Sequence, residues 1–254
     1  GAERLHRRRP SRAKIGAERA RAAVGRQLAH PSGWVGKRWM ARTFNSANRT
    51  MLDAGGEKIF LIDEKGDILP DATALQVVCL LACRQAGQGL VGVPVTASRN
   101  VEKIAARFGM DVVRTRTLPR SIMETAAREG VAFAGDGTGG YVFPRFQPAF
   151  DGMFAIVKIM ELLAAEGRTL SDILREIPPT ELIHRKVPCA WEHKGSLMRM
   201  LTTHAKGKPS QFVDGVKIFE GDDWALIYPS QDEAYFHLVV ESADRRDAEA
   251  LADH

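Results

Sequence analysis

At 254 residues with 44% apolar content, the chain can bury one large core or two ordinary ones, which excludes a disordered or fibrous class. No apolar run approaches the roughly 18 residues of a membrane helix and no signal-peptide pattern opens the chain, so a soluble, cytoplasmic protein is expected. The net charge of +5 is unevenly spread: residues 1–50 hold 13 of the 36 Lys and Arg but only Glu3 and Glu18 of the 31 acids, leaving 23 bases against 29 acids in a mildly acidic body.

The basic segment, "RLHRRRPSRAKIGAERARAAVGRQ", is rich in Arg, Ala and Gly and poor in apolar residues, with a weak helical stretch around Ala13–Leu28. A solvated, partly disordered arm over residues 1–49 is the expectation; a contact surface for nucleic acid or an acidic partner, and a segment unrelated to the fold, stay open beside it. It interleaves no aromatics with base-reading side chains, so a specific nucleic-acid module is not expected.

From Lys58 the pattern becomes regular. "KIFLIDEKGDIL" alternates as a strand, turns at Glu64–Gly66 and returns, which predicts a hairpin. "DATALQVVCLLACRQAG" predicts a helix with Asp71 as N-cap and Gly87 after its end; Cys79 and Cys83 read as buried thiols on it, because no His or third Cys lies near enough to make a metal set. Next come strand "GLVGVPV", helix "NVEKIAARFG", strand "DVVRTRT", helix "RSIMETAAREG" and strand "VAFAG", the rhythm of an α/β layer with crossover helices. After "DGTGG" follow the strand "YVFP", the long helix "DGMFAIVKIMELLAAEG" and a short one at Leu170–Glu176, stopped by Pro178 and Pro179. From about His184 the pattern changes to a helix at "HKGSLMRMLTTHA", strands at "VDGVKIFEG", "DWALIYPS" and "AYFHLVVES", and a closing helix at "DRRDAEALADH". The expected fold class is α/β, a mixed sheet with crossover helices, plus a small α+β C-terminal domain.

Four loops carry the candidate chemistry. "GDGTGG" at 135–140 satisfies G-x-G-x-x-G, but a strand follows it instead of the helix that a dinucleotide site needs, so a hairpin turn or a polyol-binding loop through Asp136 and Thr138 is expected. "DAGGEK" at 53–58 puts Asp53 and Glu57 where they could hold Mg²⁺, or stand in a solvated loop. "YPSQDEAY" at 228–235 places Ser230 after a strand, followed by Asp232 and Glu233, whose charges argue against a phosphate site. "VPVTASRN" at 93–100 poses Ser98 as a nucleophile, yet no histidine spacing completes a triad.

Taken in order, these stretches resemble the second half of an α-D-phosphohexomutase of the phosphomannomutase/phosphoglucomutase superfamily. "DAGGEKIFLIDEKGDIL" is similar to the end of the second domain, with its D-x-D-x-D-R metal loop; "VRTRT…GDGTGGYVFP…FDGMFAIVKIMELLA" to the third, with its G-E-x-S-G-H sugar loop; and "DGVKIFEGDDWALIYPSQDEAYFHLVVE" to the fourth, with its R-P-S-G-T-E-P phosphate loop. The resemblance implies a mutase passing a phosphoryl group between an active-site phosphoserine and a hexose phosphate, assisted by Mg²⁺ and basic residues. It also implies boundaries: a second-domain remnant at 50–87, a third domain at 88–183 and a fourth at 184–254.

The charged parts are altered. The metal loop reads Asp53, Gly55 and Glu57; the sugar loop reads Asp136, Thr138 and Gly140; the phosphate loop reads Tyr228, Gln231 and Asp232, keeping Pro229, Ser230 and Glu233. Ser98 lies about 45 residues after the metal loop, whereas the family's phosphoserine precedes it, so Ser98 reads as a turn or capping residue. The expectation is a degenerate module of sugar-phosphate or sugar-nucleotide metabolism that binds a hexose phosphate through Arg120, Asp136, Gly137, Thr138 and Ser230. Asp53 and Glu57 are its candidate metal ligands, and Mg²⁺ is the candidate cofactor. The alternatives are an active mutase whose phosphoserine domain is supplied elsewhere, and a structural assembly domain. Similar regions are fused behind mannose-1-phosphate guanylyltransferases, which makes a sugar-phosphate nucleotidyltransferase the implied partner.

Overall fold

The computed structural model describes residues 49–253, so the basic arm and its weak helix lie outside the described residues. Strand β1 (Arg49–Leu52) pairs antiparallel with β2 (Ile59–Ile62). The expected return arm shrinks to one bridge, Ile62 to Ile68, with the Leu69 amide donating to the Leu61 carbonyl at 3.0 Å. Pro70 and the helix behind it end the pairing there, so β2 finds its ladder on the N-terminal side.

Helix α1 (Asp71–Ala86) is buried along the whole of Ala74–Cys83, as a run that is apolar but for Gln76 requires of a helix covered on all sides. Gly87 closes it in the left-handed conformation at φ 68°. Asp71 is the first helical residue and makes no side-chain cap; Pro70 holds the N-cap position, which corrects the expected cap. The α/β rhythm continues through β3 (Leu90–Pro94), α2 (Asn100–Ala106), β4 (Asp111–Thr115), α3 (Pro119–Ala126), β5 (Val131–Gly135) and β6 (Tyr141–Val142). The sheet order is β4-β3-β5-β6: β3 is parallel to both neighbours and β6 closes an antiparallel edge. Helix α4 (Gly152–Glu166) is capped by Asp151, whose carboxylate accepts the Phe154 amide at 2.9 Å. It lies with α1 in the main core, and α5 (Leu170–Leu174) follows. Arg84 clamps the helices together, reaching Glu166 at 2.6 Å and Glu176 at 2.8 Å.

The C-terminal unit is a five-stranded antiparallel sheet in the order β7-β11-β10-β9-β8, built from Glu181–Pro188, Tyr235–Ser242, Asp223–Pro229, Val216–Glu220 and Ser210–Gln211. Helices α6 (Lys194–His204) and α7 (Arg245–Asp253) accompany it. Strand β7 was not expected. Its "LIHRKVP" is charged and mostly exposed because it is an edge strand, and edges of that kind are blunted by charge.

The two units meet at the turns that follow β3 and β4. Val95 packs with Trp224, Leu226 and Val239 in a second core. Beside it the buried Glu241 carboxylate accepts from Ser98 Oγ at 2.5 Å, the Arg99 amide at 2.9 Å, Thr180 Oγ1 at 2.9 Å and Trp224 Nε1. Asp214, at φ 61°, accepts from both the amide and the hydroxyl of Thr117. Among the described residues no helix is long and apolar enough to cross a membrane.

Candidate functional site

Residues 135–140 form the turn between β5 and β6, which settles G-x-G-x-x-G as a hairpin with no helix at its end. Gly137 and Gly139 take φ of 74° and 97°, values that glycine reaches without strain. The turn is organised by Asp136. One of its oxygens accepts the Thr138 amide at 2.7 Å and the Gly140 amide at 2.8 Å; the other accepts Thr138 Oγ1 at 2.7 Å and pairs with the Lys58 ammonium at 3.0 Å. Lys58 also donates to Thr138 Oγ1 at 2.6 Å. The turn is tied to the loop before β2 a second time, by the Ile59 amide on the Gly139 carbonyl at 2.9 Å.

Asp136 and Thr138 are therefore brought together, but the Asp136 side chain is 6% exposed and its lone pairs are spent inside the turn. Thr138 keeps one acceptor position, and Lys58, a third exposed, keeps donors. Lys58 was missed as a site residue; the available signal was its place at the Arg position of the resembling metal-loop motif. Gly140 stands where the sugar-loop motif carries His. A Cβ there would sit 2.7 Å from the Phe150 ring and 2.8 Å from an Asp136 oxygen, so this turn has no room for the imidazole.

Asp53 has turned inward on its own loop. Its Oδ1 accepts the Glu57 and Lys58 amides, each at 3.0 Å, and the Asp53 amide donates to the Lys58 carbonyl at 2.9 Å. Backbone donors, the Lys58 amide foremost, hold its carboxyl below the usual range, so it is a permanent acceptor for its own amides. Glu57 is exposed, and Gly55 supplies no carboxylate. No group of three or more His, Cys, Asp or Glu able to hold a metal occurs among the described residues. Mg²⁺ wants six oxygen ligands in near-octahedral array, and this donor set does not fit it.

Ser230 sits apart from these loops, buried at the end of β10. Its amide donates to the Tyr235 carbonyl at 3.0 Å and its hydroxyl accepts the Glu233 amide at 3.3 Å. The buried Lys194 ammonium staples the turn, donating to the Ser230 carbonyl at 2.7 Å and the Glu233 carbonyl at 2.6 Å, with the Trp191 ring 3.6 Å away. The Lys194 charge thus serves backbone carbonyls. Tyr228, at the Arg position of the phosphate loop, stacks on His237 at 4.6 Å, and His237 contacts His184 at 2.8 Å between ring nitrogens. Burial, then Asp214, pushes the Tyr228 hydroxyl up to about 12, so this position offers a neutral phenol.

Arg120 lies at the start of α3, highly exposed and paired with Glu124 of its own helix at 2.7 Å. Ser98 is 2% exposed and bonded to Glu241, and its oxygen accepts the Asn100 amide at 3.0 Å, a turn role, while Arg99 holds the N-cap position of α2.

Residues 71–180 match the family model described as phosphoglucomutase/phosphomannomutase, alpha/beta/alpha domain III. A probable phosphoglucosamine mutase of Methanopyrus kandleri is 29% identical over 203 residues, which cover 79% of this chain and 45% of that one. A phosphoglucomutase/phosphomannomutase family protein from Burkholderia thailandensis shares the fold with a TM-score of 0.74 at 17% identity, over 89% of this chain and 49% of that chain. The N-acetylphosphoglucosamine mutase of Aspergillus fumigatus, whose structure holds GlcNAc-6P and magnesium, overlays with a TM-score of 0.53 at 14% identity, over 81% of this chain and 47% of that one. The chain thus spans a little under half the length of the curated relatives it matches.

Proposed function

The chain belongs to the α-D-phosphohexomutase superfamily, and on that premise we propose that residues 50–254 form a module that holds a hexose phosphate without converting it. The observation that carries this reading is the junction of Lys58, Asp136 and Thr138. It fixes a glycine-rich turn in one shape while leaving an ammonium and a hydroxyl facing solvent. A turn of this kind can hydrogen-bond a sugar edge through Thr138 and the Gly137 backbone, and Lys58 supplies charge for a phosphate oxygen. Arg120 stands at the same C-terminal side of the parallel strands, where ligands of such sheets gather, and is proposed to meet the phosphate from there. Ser230 shapes the opposite turn from within.

Three facts support holding over converting. Asp53 and Asp136 are consumed by their own backbone amides, Phe150 fills the space of the family's His, and Tyr228 presents no charge. Phosphoryl transfer depends on cations and a metal set around the moving charge, which these residues do not provide. No step is assigned to Mg²⁺ here. The length comparison favours one second reading: a phosphoserine-bearing half supplied outside these residues, with this module closing over its substrate. In that reading a sugar-phosphate nucleotidyltransferase is the proposed partner.

Isothermal titration with mannose-1-phosphate and glucose-1-phosphate tests the reading. Saturable binding is expected, weakened at least several-fold by Lys58→Met, together with a mutase assay at background. Absence of heat at millimolar ligand, or turnover above background by this chain alone, overturns it.

A further inference from the structure

Away from that junction, a cavity of about 230 Å³ opens between the α/β unit and the free edge of the C-terminal sheet. Its wall carries Arg99, Lys103 and Arg114 from one unit and Lys217 and Phe219 from the other, with Glu102 as the single acid among the lining residues. Lys217 is 2% exposed. Its ammonium donates to the Val95 carbonyl at 2.9 Å and lies 3.4 Å from the Trp224 ring centroid; among the described residues it has no ion pair. A buried lysine without a carboxylate partner is costly, and a carbonyl plus a π face offsets only part of that cost.

The other cations are spoken for to different degrees. Arg114 is committed to Glu102 through Nε at 2.8 Å and Nη2 at 2.6 Å and to the carbonyls of Pro94, Ala97 and Ser98. Arg99 donates to the Gly221 carbonyl at 2.9 Å and Lys103 pairs with Asp222 at 3.2 Å, both at the exposed mouth where a ligand can compete. Two movable cations at the entrance and one unpaired ammonium in the wall describe an anion site.

We propose that this cavity binds a phosphoryl or sulfuryl oxyanion, free or as the end of a phosphate monoester, with Lys217, Arg99 and Lys103 as its donors. A bound anion touches α2 on one unit and β9 on the other, so it bridges them. The site is independent of the junction at Lys58, and neither reading rests on the other. Binding is linked to protonation. Burial, then the Arg114 charge, brings Lys217 down to about 7; Glu241 and Glu102 oppose this and Arg99 adds to it. An anion selects the ammonium form, so affinity falls as pH rises: with a free value near 7, the charged fraction drops about tenfold from pH 6 to pH 8, and the apparent Kd rises about tenfold.

Sulfate is the probe for the pH arm, because it does not titrate in this range. Titration calorimetry of the 254-residue chain should give saturable sulfate binding, near tenfold weaker at pH 8 than at pH 6, with proton uptake visible between buffers of different ionisation enthalpy. Inorganic phosphate and glucose-6-phosphate, compared at one pH, distinguish a free anion from a monoester. Lys217→Met should abolish binding. Should that variant fold poorly, the exposed pair Arg99→Gln with Lys103→Gln should weaken sulfate several-fold while the pH dependence persists. Lys206→Met, at an exposed lysine outside both sites, should leave sulfate affinity unchanged. No saturable binding at tens of millimolar sulfate, or full binding in a folded Lys217→Met chain, overturns the proposal.

Discussion

Glu241→Ala is the sharpest test of how the two units are joined. The carboxylate accepts four hydrogen bonds, from Ser98 Oγ, Thr180 Oγ1, the Arg99 amide and the Trp224 indole. The hydroxyls have alternatives: Thr180 also reaches the Ser242 carbonyl at 3.3 Å, and Ser98 can rotate. The Arg99 amide and the Trp224 N–H have none, and a donor orphaned in a buried site costs about 1–3 kcal/mol. Truncation is therefore expected to cost about 2–5 kcal/mol. Glu241→Gln, which keeps one acceptor oxygen but points an NH₂ at donors, should cost roughly half of that. Urea denaturation followed by circular dichroism and tryptophan fluorescence reads both. A loss below about 1 kcal/mol for Glu241→Ala would refute the reasoning, because water or a shifted side chain would then be satisfying those donors.

Three further outcomes follow from particular contacts. Gly140→Ala drives a methyl into the Phe150 ring and Asp136, and should cost about 1–3 kcal/mol in thermal or chemical unfolding; a neutral result would mean that the turn is loose. Tyr141→Phe removes a fully buried hydroxyl with no partner among the described residues, so stability should stay level or rise by about 1 kcal/mol, and a clear loss would reveal a hidden partner such as a buried water. His184 and His237 are both held below the ordinary 6.5, by burial first, with Lys186 adding to each and the His184 charge to His237. Their neutral forms are the ones the fold keeps, so their contribution is present above pH 6.5 and is lost as pH falls toward the folded values. Melting temperature should decline between pH 7 and pH 5, and His237→Phe should flatten that slope; an unchanged slope would remove the pair from the acid response.

The order of elements was legible because apolar period and glycine punctuation agree along residues 58–176. Local chemistry decides there, as at Gly87 and at Asp151 with its amide partner. Strand β7 was hidden because an edge strand with His184, Arg185 and Lys186 shows no apolar alternation. The partner of β2 was misplaced because the pairing of Leu61 with Thr50 depends on residues before the regular pattern begins. At the site, residue types were legible and their use was not. Asp53, Asp136 and Ser230 all read as ligands in sequence, yet each closes its own turn, because where a lone pair goes depends on backbone geometry that spacing does not encode. The tie between Lys58 and Thr138 crosses 80 residues.

The C-terminal sheet grips its neighbour at Val95, at Ser98 and Arg99, and at Thr117, the turns that exist once β3 and β4 have paired, and at Lys103 on the helix between those strands. Ser98 and Glu241 are 143 positions apart, so their meeting closes one of the longest loops in the chain. Closing such a loop is entropically late, after the parallel strands have formed their own landing site. Substitutions at this seam should accordingly speed unfolding while leaving the folding rate nearly untouched, and the seam sets how long the assembled molecule lasts more than how fast it forms.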